Sequence, residues 1–446
     1  MTVRHYAAVA GARPREIAAR ALGRTEVPGD FLEHQLEADP AFRALSDPDR
    51  RLVQEMVFGV LRHRSSLDWL IDRRLKGRPP RPVVRDLLRL GLYQVFHLDR
   101  VPPHAAVHET VAAAHRLAAP GEAGFVNAVL RGYLREREPA RRDLAALRVS
   151  HPALAGSHPD WLVERWRHRW PDPAAPGGVP GWQALLDWDN APPPTFARVN
   201  HLRTDTPGLL ARWQSEEVEF EEFTADWIPA GLVFRLRRHP PLAVLPSFRS
   251  GGFYLQDPST LLAVTWLGAR RGDRILDLCA APGGKATCLA QFLGNEGLVV
   301  AHDAHPGRLA RVAENASRLG ASSVRVTPPA DLPPAAGGFD RVLVDAPCSN
   351  TGVLRRRLEA RWRLQPGEIA RLAAEQDRLL DRGAAHVKPG GSLVYSTCSL
   401  EPEENAAVAS AFAGRHPEFV ADGSRELWPF REGVDGAFVA RFQRRA

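Results

Sequence analysis

Cysteine is scarce in this 446-residue chain, four in all, and lysine is scarcer still, confined to Lys76, Lys285 and Lys388. The cysteines show no Cys-x-x-Cys spacing and no His-rich cluster accompanies them, which excludes a disulfide framework and a structural zinc; no metal is expected. No run approaches the roughly eighteen consecutive apolar residues of a membrane span. The opening Met1-Thr2-Val3-Arg4-His5 lacks the apolar core of a secretory signal, so the reading is a cytoplasmic protein without membrane attachment. Low-complexity tracts and internal repeats are absent. Gly-x-Gly-x-x-Gly is missing too, and Lys285 is followed by Ala286 where a phosphate loop needs Ser or Thr, which argues against nicotinamide and nucleoside-triphosphate sites.

What remains is ordinary globular material, 44% hydrophobic and 25% charged. Its length exceeds a single core and predicts two or three domains. The formal charge is +7, from 59 basic and 52 acidic residues, and almost every basic residue is arginine. Arginine excess suits phosphate recognition, although a GC-rich genome produces the same bias.

Residues 1–140 predict helices throughout, an all-α module. Val84, Leu87, Leu88, Leu92, Val95 and Phe96 fall on one helical face, and Leu52, Met56, Val60 and Leu61 repeat the pattern behind a start at Ser46-Asp47-Pro48-Asp49. Further helices are expected over Ala105 to Leu117 and from Phe125. Residues 141–195 read as a connector: one short helix spans Trp161 to Trp170, and the prolines and glycines between 171 and 180 break regular structure. Residues 196–254 mix strand-like pieces with a helix near Leu209 to Trp213, a small α+β subdomain. From 255 to 446 strands and helices alternate, which predicts a doubly wound, Rossmann-like α/β sheet.

Every strand of that last domain ends on a polar or reactive residue. Arg274 to Asp277 runs into Leu278-Cys279-Ala280-Ala281-Pro282-Gly283-Gly284-Lys285; Leu298 to Ala301 ends at His302-Asp303; Phe339 to Val344 ends at Asp345; Ser392 to Tyr395 leads to Cys398. Ligands bind at this carboxyl edge in open α/β sheets. Asp303, twenty residues beyond Gly283, suits the two hydroxyls of a ribose. Cys348 and Cys398 are each surrounded by Ser, Thr, Pro or Asn and predict a pair of accessible thiols, whereas Cys279 and Cys288 read as packing residues.

Two thiols and Asp345 beside a methyl donor suit methylation at carbon 5 of cytosine. A thiolate adding at carbon 6 turns the ring into a nucleophile, a second weak base helps release the product, and Asp345 can hold the base edge. Lys285, if it reaches the thiols, lowers a thiol pKa.

Asp345-Ala346-Pro347-Cys348-Ser349, Ser396-Thr397-Cys398-Ser399 and Ala280-Ala281-Pro282-Gly283-Gly284-Lys285 closely resemble the RNA cytosine-C5 methyltransferases of the Nol1/Nop2/Sun family. Within it the chain is similar to the bacterial Sun/Fmu (RsmB) branch, whose members methylate 16S ribosomal RNA and carry an N-terminal domain similar to the antitermination factor NusB. That domain is matched by Val107-His108-Glu109-Thr110-Val111 and Phe125-Val126-Asn127-Ala128-Val129-Leu130-Arg131. The resemblance implies Cys398 as nucleophile and Cys348 as the residue assisting release. It also implies an S-adenosylmethionine site of Cys279, Ala280, Ala281, Pro282, Gly283, Gly284, Lys285, Asp303 and Asp345, with Asp331 as a third acid, although the usual Gly-Asp pair is missing there. Further matches are Arg198-Val199-Asn200, Gln256-Asp257 and Pro402-Glu403-Glu404-Asn405.

Arg355, Arg356, Arg357, Arg361, Trp362 and Arg363 follow the Cys348 segment directly and predict a phosphate track with a stacking surface for RNA. The expected partner is small-subunit ribosomal RNA, bound by a monomer. A sister enzyme acting on transfer RNA shares the same catalytic residues. A non-catalytic antitermination-type RNA-binding factor would have lost at least one chemical group, yet Lys285, Asp345, Cys348 and Cys398 are all present.

Overall fold

The computed structural model describes residues 13–24, 32–75, 77–175, 178–332 and 338–446. The chain divides into two compact units, one taking in the residues up to Ala191 together with Leu354–Leu364, the other Pro192–Val353 and Gln365–Ala446.

The first unit is helical. Helix Asp47–Arg62 starts where the sequence places it, with the Ser46 hydroxyl accepting the Asp49 N–H and satisfying one of the unpaired amides of the first turn. Helix Pro82–His97 was expected to bury one face. It is instead buried almost throughout, because Pro14–Arg24, Asp47–Arg62, Pro103–Leu117 and Glu122–Arg135 pack around it. Its buried Arg89 is tolerated at the centre of the core because it pairs with Asp86 and Asp68.

The expected connector is not found: Arg137–Ser150, Pro152–Gly156, Asp160–Arg169 and Gly181–Asn190 are all helices of this unit. Pro180, read as a breaker, instead precedes the first turn of Gly181–Asn190, a position where a missing N–H costs no intrahelical bond. Among the described residues, the ribbon of β1 (Pro173–Ala175) and β2 (Val179–Pro180) lies between the last two of these helices. Among the described residues no helix is long and apolar enough to cross a membrane.

The second unit opens with the expected small α+β subdomain: β3 (Thr195–Val199), β4 (Glu219–Glu222), β5 (Val233–Arg238) and β6 (Phe253–Leu255), antiparallel in the order β4-β5-β3-β6. Helix Thr206–Ser215 inserts Trp213, fully buried, among Phe220, Phe234 and Phe253.

The large sheet has seven strands in the order β12-β13-β11-β10-β7-β8-β9. Here β7 is Arg274–Asp277, β8 Leu298–His302, β9 Val324–Thr327, β10 Phe339–Asp345, β11 Val387–Thr397, β12 Phe419–Leu427 and β13 Ala437–Arg444. Strands β7 to β11 are parallel, and β13 and β12 add antiparallel at one edge. The central strands read as continuous apolar runs because both faces are covered. β11 begins earlier than expected, since the Pro389-Gly390-Gly391 stretch is absorbed by an irregular register against β10 rather than ending the strand. The order reverses between β7 and β10, so a crevice opens where these two carboxyl ends part.

Candidate active site

Parallel register brings the strand ends to one edge. Asp277 closes β7 level with Leu343, and Asp345 closes β10 level with Ser396 of β11, two residues before Cys398. The loop after β7 turns through Gly283, whose φ of +102° is left-handed and whose missing side chain admits the Val312 backbone; an added Cβ would sit 3.2 Å from it. Arg198, 1% exposed, braces this loop from β3 by donating to Gln256 Oε1 (2.6 Å), the Gly284 carbonyl (2.9 Å) and the Thr287 hydroxyl (3.3 Å).

Three carboxylates face the loop in different states. Asp303 is buried, taking the Ala281 N–H on one oxygen (3.3 Å) and the His305 N–H on the other (3.0 Å). A carboxylate has about four acceptor positions, so capacity for ribose hydroxyls remains. Asp345 accepts from Lys285 Nζ (2.6 Å) and Ser396 Oγ (2.7 Å). Asp277 has no accessible surface and no well-formed hydrogen bond, only a marginal approach of the Cys279 N–H; burial, reinforced by the Asp345 charge and opposed by Lys285 and that N–H, pushes its pKa up to about 7. A buried carboxylate so poorly satisfied suits a cationic ligand group.

Burial pulls the Lys285 ammonium toward neutrality, but Asp345, then Asp277 and Cys398, more than offset it and raise its pKa. Its hydrogen bond goes to Asp345 and not to a sulfur, so the condition of direct reach to a thiol is not met, although Cys398 lies within its field.

The two thiols meet: Cys348 Sγ lies 3.1 Å from Cys398 Sγ, and Cys398 is also 3.4 Å from Asn350 Oδ1. The hydrogen bond to Cys398, then burial and the nearby Glu404 charge, hold Cys348 well above the ordinary thiol range, so it stays protonated. Cys398 is half-buried. Cys288 is sealed in the core and burial raises its pKa; burial also raises that of Cys279, with Asp277 adding to it, and both thiols are inert.

The arginine-rich segment is a correction. Arg361 has no accessible surface and donates to the Asp189 carbonyl (2.6 Å), Asn190 Oδ1 (2.8 Å) and the Ser157 carbonyl (3.5 Å), all in the first unit. Arg355 is also buried, donates to the Ala191 carbonyl (2.9 Å) and lies 4.0 Å over the Trp188 ring; Trp362 is half-buried beneath Arg64. Neighbourhood in the chain was taken for neighbourhood in space, whereas the unpaired carbonyls ending helix Gly181–Asn190 recruit these guanidinium groups. Arg356, Arg357 and Arg363 keep part of their surface. The side chain of Asp331 lies outside the described residues.

Sequence reasoning missed Asp277 as a functional residue, although its signal was present: an acid closing a buried strand just before the glycine loop. It also missed Asn350, which holds a left-handed φ of +61° beside both sulfurs.

Comparison with known proteins finds relatives of each domain. A family described as 16S rRNA methyltransferase RsmB/F matches residues 264–443, the NusB family residues 12–135, and the ferredoxin-like domain of RsmF/B-like methyltransferases residues 158–237. A ribosomal RNA small subunit methyltransferase B from Klebsiella pneumoniae is 37% identical over 97% of this chain and 98% of its own. The chain belongs to the RsmB/F family. Among solved structures, PH0851 shares the fold across 99% of this chain and 100% of its own, at 22% identity and a TM-score of 0.75. A methyltransferase homolog from Pyrococcus horikoshii covers 66% of this chain and 97% of its own, at 27% identity and a TM-score of 0.55. The RsmB/F family model spans every strand end described above, and the ferredoxin-like match includes β3 to β5 of the small subdomain, continuing upstream into the helices expected to be a connector.

Proposed function

We propose that this RsmB/F-family protein methylates carbon 5 of a cytidine in small-subunit ribosomal RNA, using S-adenosylmethionine and a transient bond from Cys398 to carbon 6. The observation that carries the reading is the pair of thiols, 3.1 Å apart, on the sheet edge that also holds the Lys285–Asp345 ion pair and the poorly satisfied Asp277. The ribosomal substrate follows the name of the Klebsiella relative.

Asp277, Asp303 and the Cys279 to Gly284 loop suit the cofactor: a buried carboxylate for its ammonium group, an acceptor for its ribose, and a glycine turn that lets the backbone approach. Bound there, S-adenosylmethionine supplies the electrophilic methyl group. Cys398 adds as thiolate to carbon 6 of the cytosine. Asp345 holds the base edge and favours a proton at ring nitrogen 3, while the Lys285 ammonium offsets charge building on the ring. Cys348, kept protonated, donates toward the Cys398 sulfur. That hydrogen bond stabilises the thiolate left when the Cys398 proton passes to solvent, and again the thiolate expelled from carbon 6 as water takes the carbon-5 proton and the C5–H electron pair restores the C5–C6 double bond.

Bisulfite sequencing of ribosomal and transfer RNA from a deletion strain tests the reading. One ribosomal cytosine should lose its mark, regain it with the wild-type chain and fail to regain it with Cys398→Ala. Cys348→Ala, but not Cys398→Ala, should accumulate a covalent protein–RNA adduct; equal adduct in both reverses the two roles, and loss of a transfer-RNA mark alone reassigns the substrate.

A further inference from the structure

A carboxylate that the thiol chemistry does not use lies behind both cysteines. Glu404 is fully buried, and four donors converge on it. Oε1 takes the Ser349 N–H (2.9 Å) and Gln376 Nε2 (2.9 Å); Oε2 takes the Ser399 hydroxyl (2.5 Å) and the Ser349 hydroxyl. These bonds fill the roughly four acceptor positions of an ionised carboxylate. Ser349 follows Cys348 in the chain and Ser399 follows Cys398, so one side chain grips the residue next to each sulfur.

The surrounding bonds close the same clamp. Gln376 Nε2 also donates to the Pro347 carbonyl (2.9 Å), the Tyr395 hydroxyl donates to the Glu404 carbonyl (2.5 Å) and lies 3.1 Å from Gln376 Oε1, and the Ser349 and Ser399 hydroxyls lie 3.0 Å apart.

We infer that Glu404 is a positioning residue that sets the separation of the Cys348 and Cys398 sulfurs for the reaction proposed above, on which the inference rests. Charged hydrogen bonds are the stronger kind, and a buried network with every member satisfied is rigid, so the two loops move as one body. The Glu404 charge also contributes to holding Cys348 protonated. Without the clamp, Cys348 no longer sits against the sulfur that must be expelled, and release suffers before addition does.

The test uses the full chain, methyl-labelled S-adenosylmethionine and a 16S rRNA transcript. Glu404→Gln keeps the shape but turns one acceptor into a donor facing donors. It should lower kcat by about tenfold or more through misplacement of reacting groups, with the S-adenosylmethionine Kd within about twofold of wild type. The covalent protein–RNA adduct should accumulate as it does in Cys348→Ala, and combining the two substitutions should add nothing further.

A Gln variant with wild-type turnover, or with slow turnover and no trapped adduct, overturns the inference, as does equal loss of cofactor binding. Should that variant not fold, the Ser349→Ala/Ser399→Ala pair, which retains Glu404 and removes two of its donors, must trap the adduct; its absence there also overturns the inference. Failure of the underlying reaction reads differently, because Cys348→Ala then traps no adduct and Cys398→Ala still methylates.

Discussion

Asp277 is a carboxylate without accessible surface and without a well-formed hydrogen bond at the end of a central strand. Its folded pKa of about 7 lies above its ordinary 3.8, so the folded protein binds this proton more tightly than the unfolded chain does. The associated stability is fully present below 3.8 and is lost as pH rises through about 7. Asp277→Asn should therefore remove a fall in cofactor-free stability across that window, read as the pH dependence of the difference between the two melting temperatures. The same variant should weaken S-adenosylmethionine binding by about tenfold or more in calorimetry, since it removes a charged acceptor from a cationic group. Residue identity spoke clearly for Cys348 and Cys398, whose polar neighbours distinguish them from Cys288 among Ala286 and Leu289. It was silent on Glu404, one acid of a Glu403-Glu404 pair, because only folding chooses which of two adjacent carboxylates turns inward.

At the scale of elements, the Cys348 loop is held by backbone against backbone. Gly352 N–H donates to the Cys398 carbonyl (2.9 Å), and Gly436 N–H donates to the Gly352 carbonyl (2.8 Å). A Cβ on Gly352 would lie 2.6 Å from the Cys398 carbonyl oxygen and 2.8 Å from Gly436 Cα, atoms that cannot turn aside as a side chain can. Gly352→Ala should cost about 1–3 kcal/mol in urea unfolding by overpacking. Methyl transfer should fall by about tenfold or more from misplaced thiols, with cofactor affinity retained. The strands bearing the site were legible because buried parallel strands are short apolar runs ending in polar residues. β12 and β13 were not, since β12 is a largely exposed edge strand with a weak pattern and the antiparallel insertion of the buried β13 beside β11 is a long-range event.

At the scale of the molecule, the chain leaves the catalytic unit after Val353, contributes eleven residues, Leu354–Leu364, to the helical unit and returns. Leu358 lies in the helical core and Arg361 binds the end of helix Gly181–Asn190, both without meaningful exposure. Replacing Arg361 with Met should lower the stability of the helical unit by about 2–4 kcal/mol, because it strands buried carbonyls. The KM for RNA should stay within about twofold, since no phosphate reaches that guanidinium. A urea transition monitored in the first unit together with steady-state kinetics checks both; a raised KM at unchanged stability would restore the RNA-binding role.

Local spacing and residue chemistry by themselves determined the helical beginning, the alternating α/β end, the glycine loop and two cysteines at one sheet edge, because periodicity and strand-end polarity are properties of short stretches. Tertiary structure alone decided that a stretch read as a linker is helical, that Arg355 and Arg361 are internal mortar, that Cys348 is buried, and that one glutamate and one aspartate stand unexposed near the two sulfurs. Those outcomes depend on which distant backbone carbonyls, amides and hydroxyls arrive beside a side chain, and burial then sets what a charge must bind.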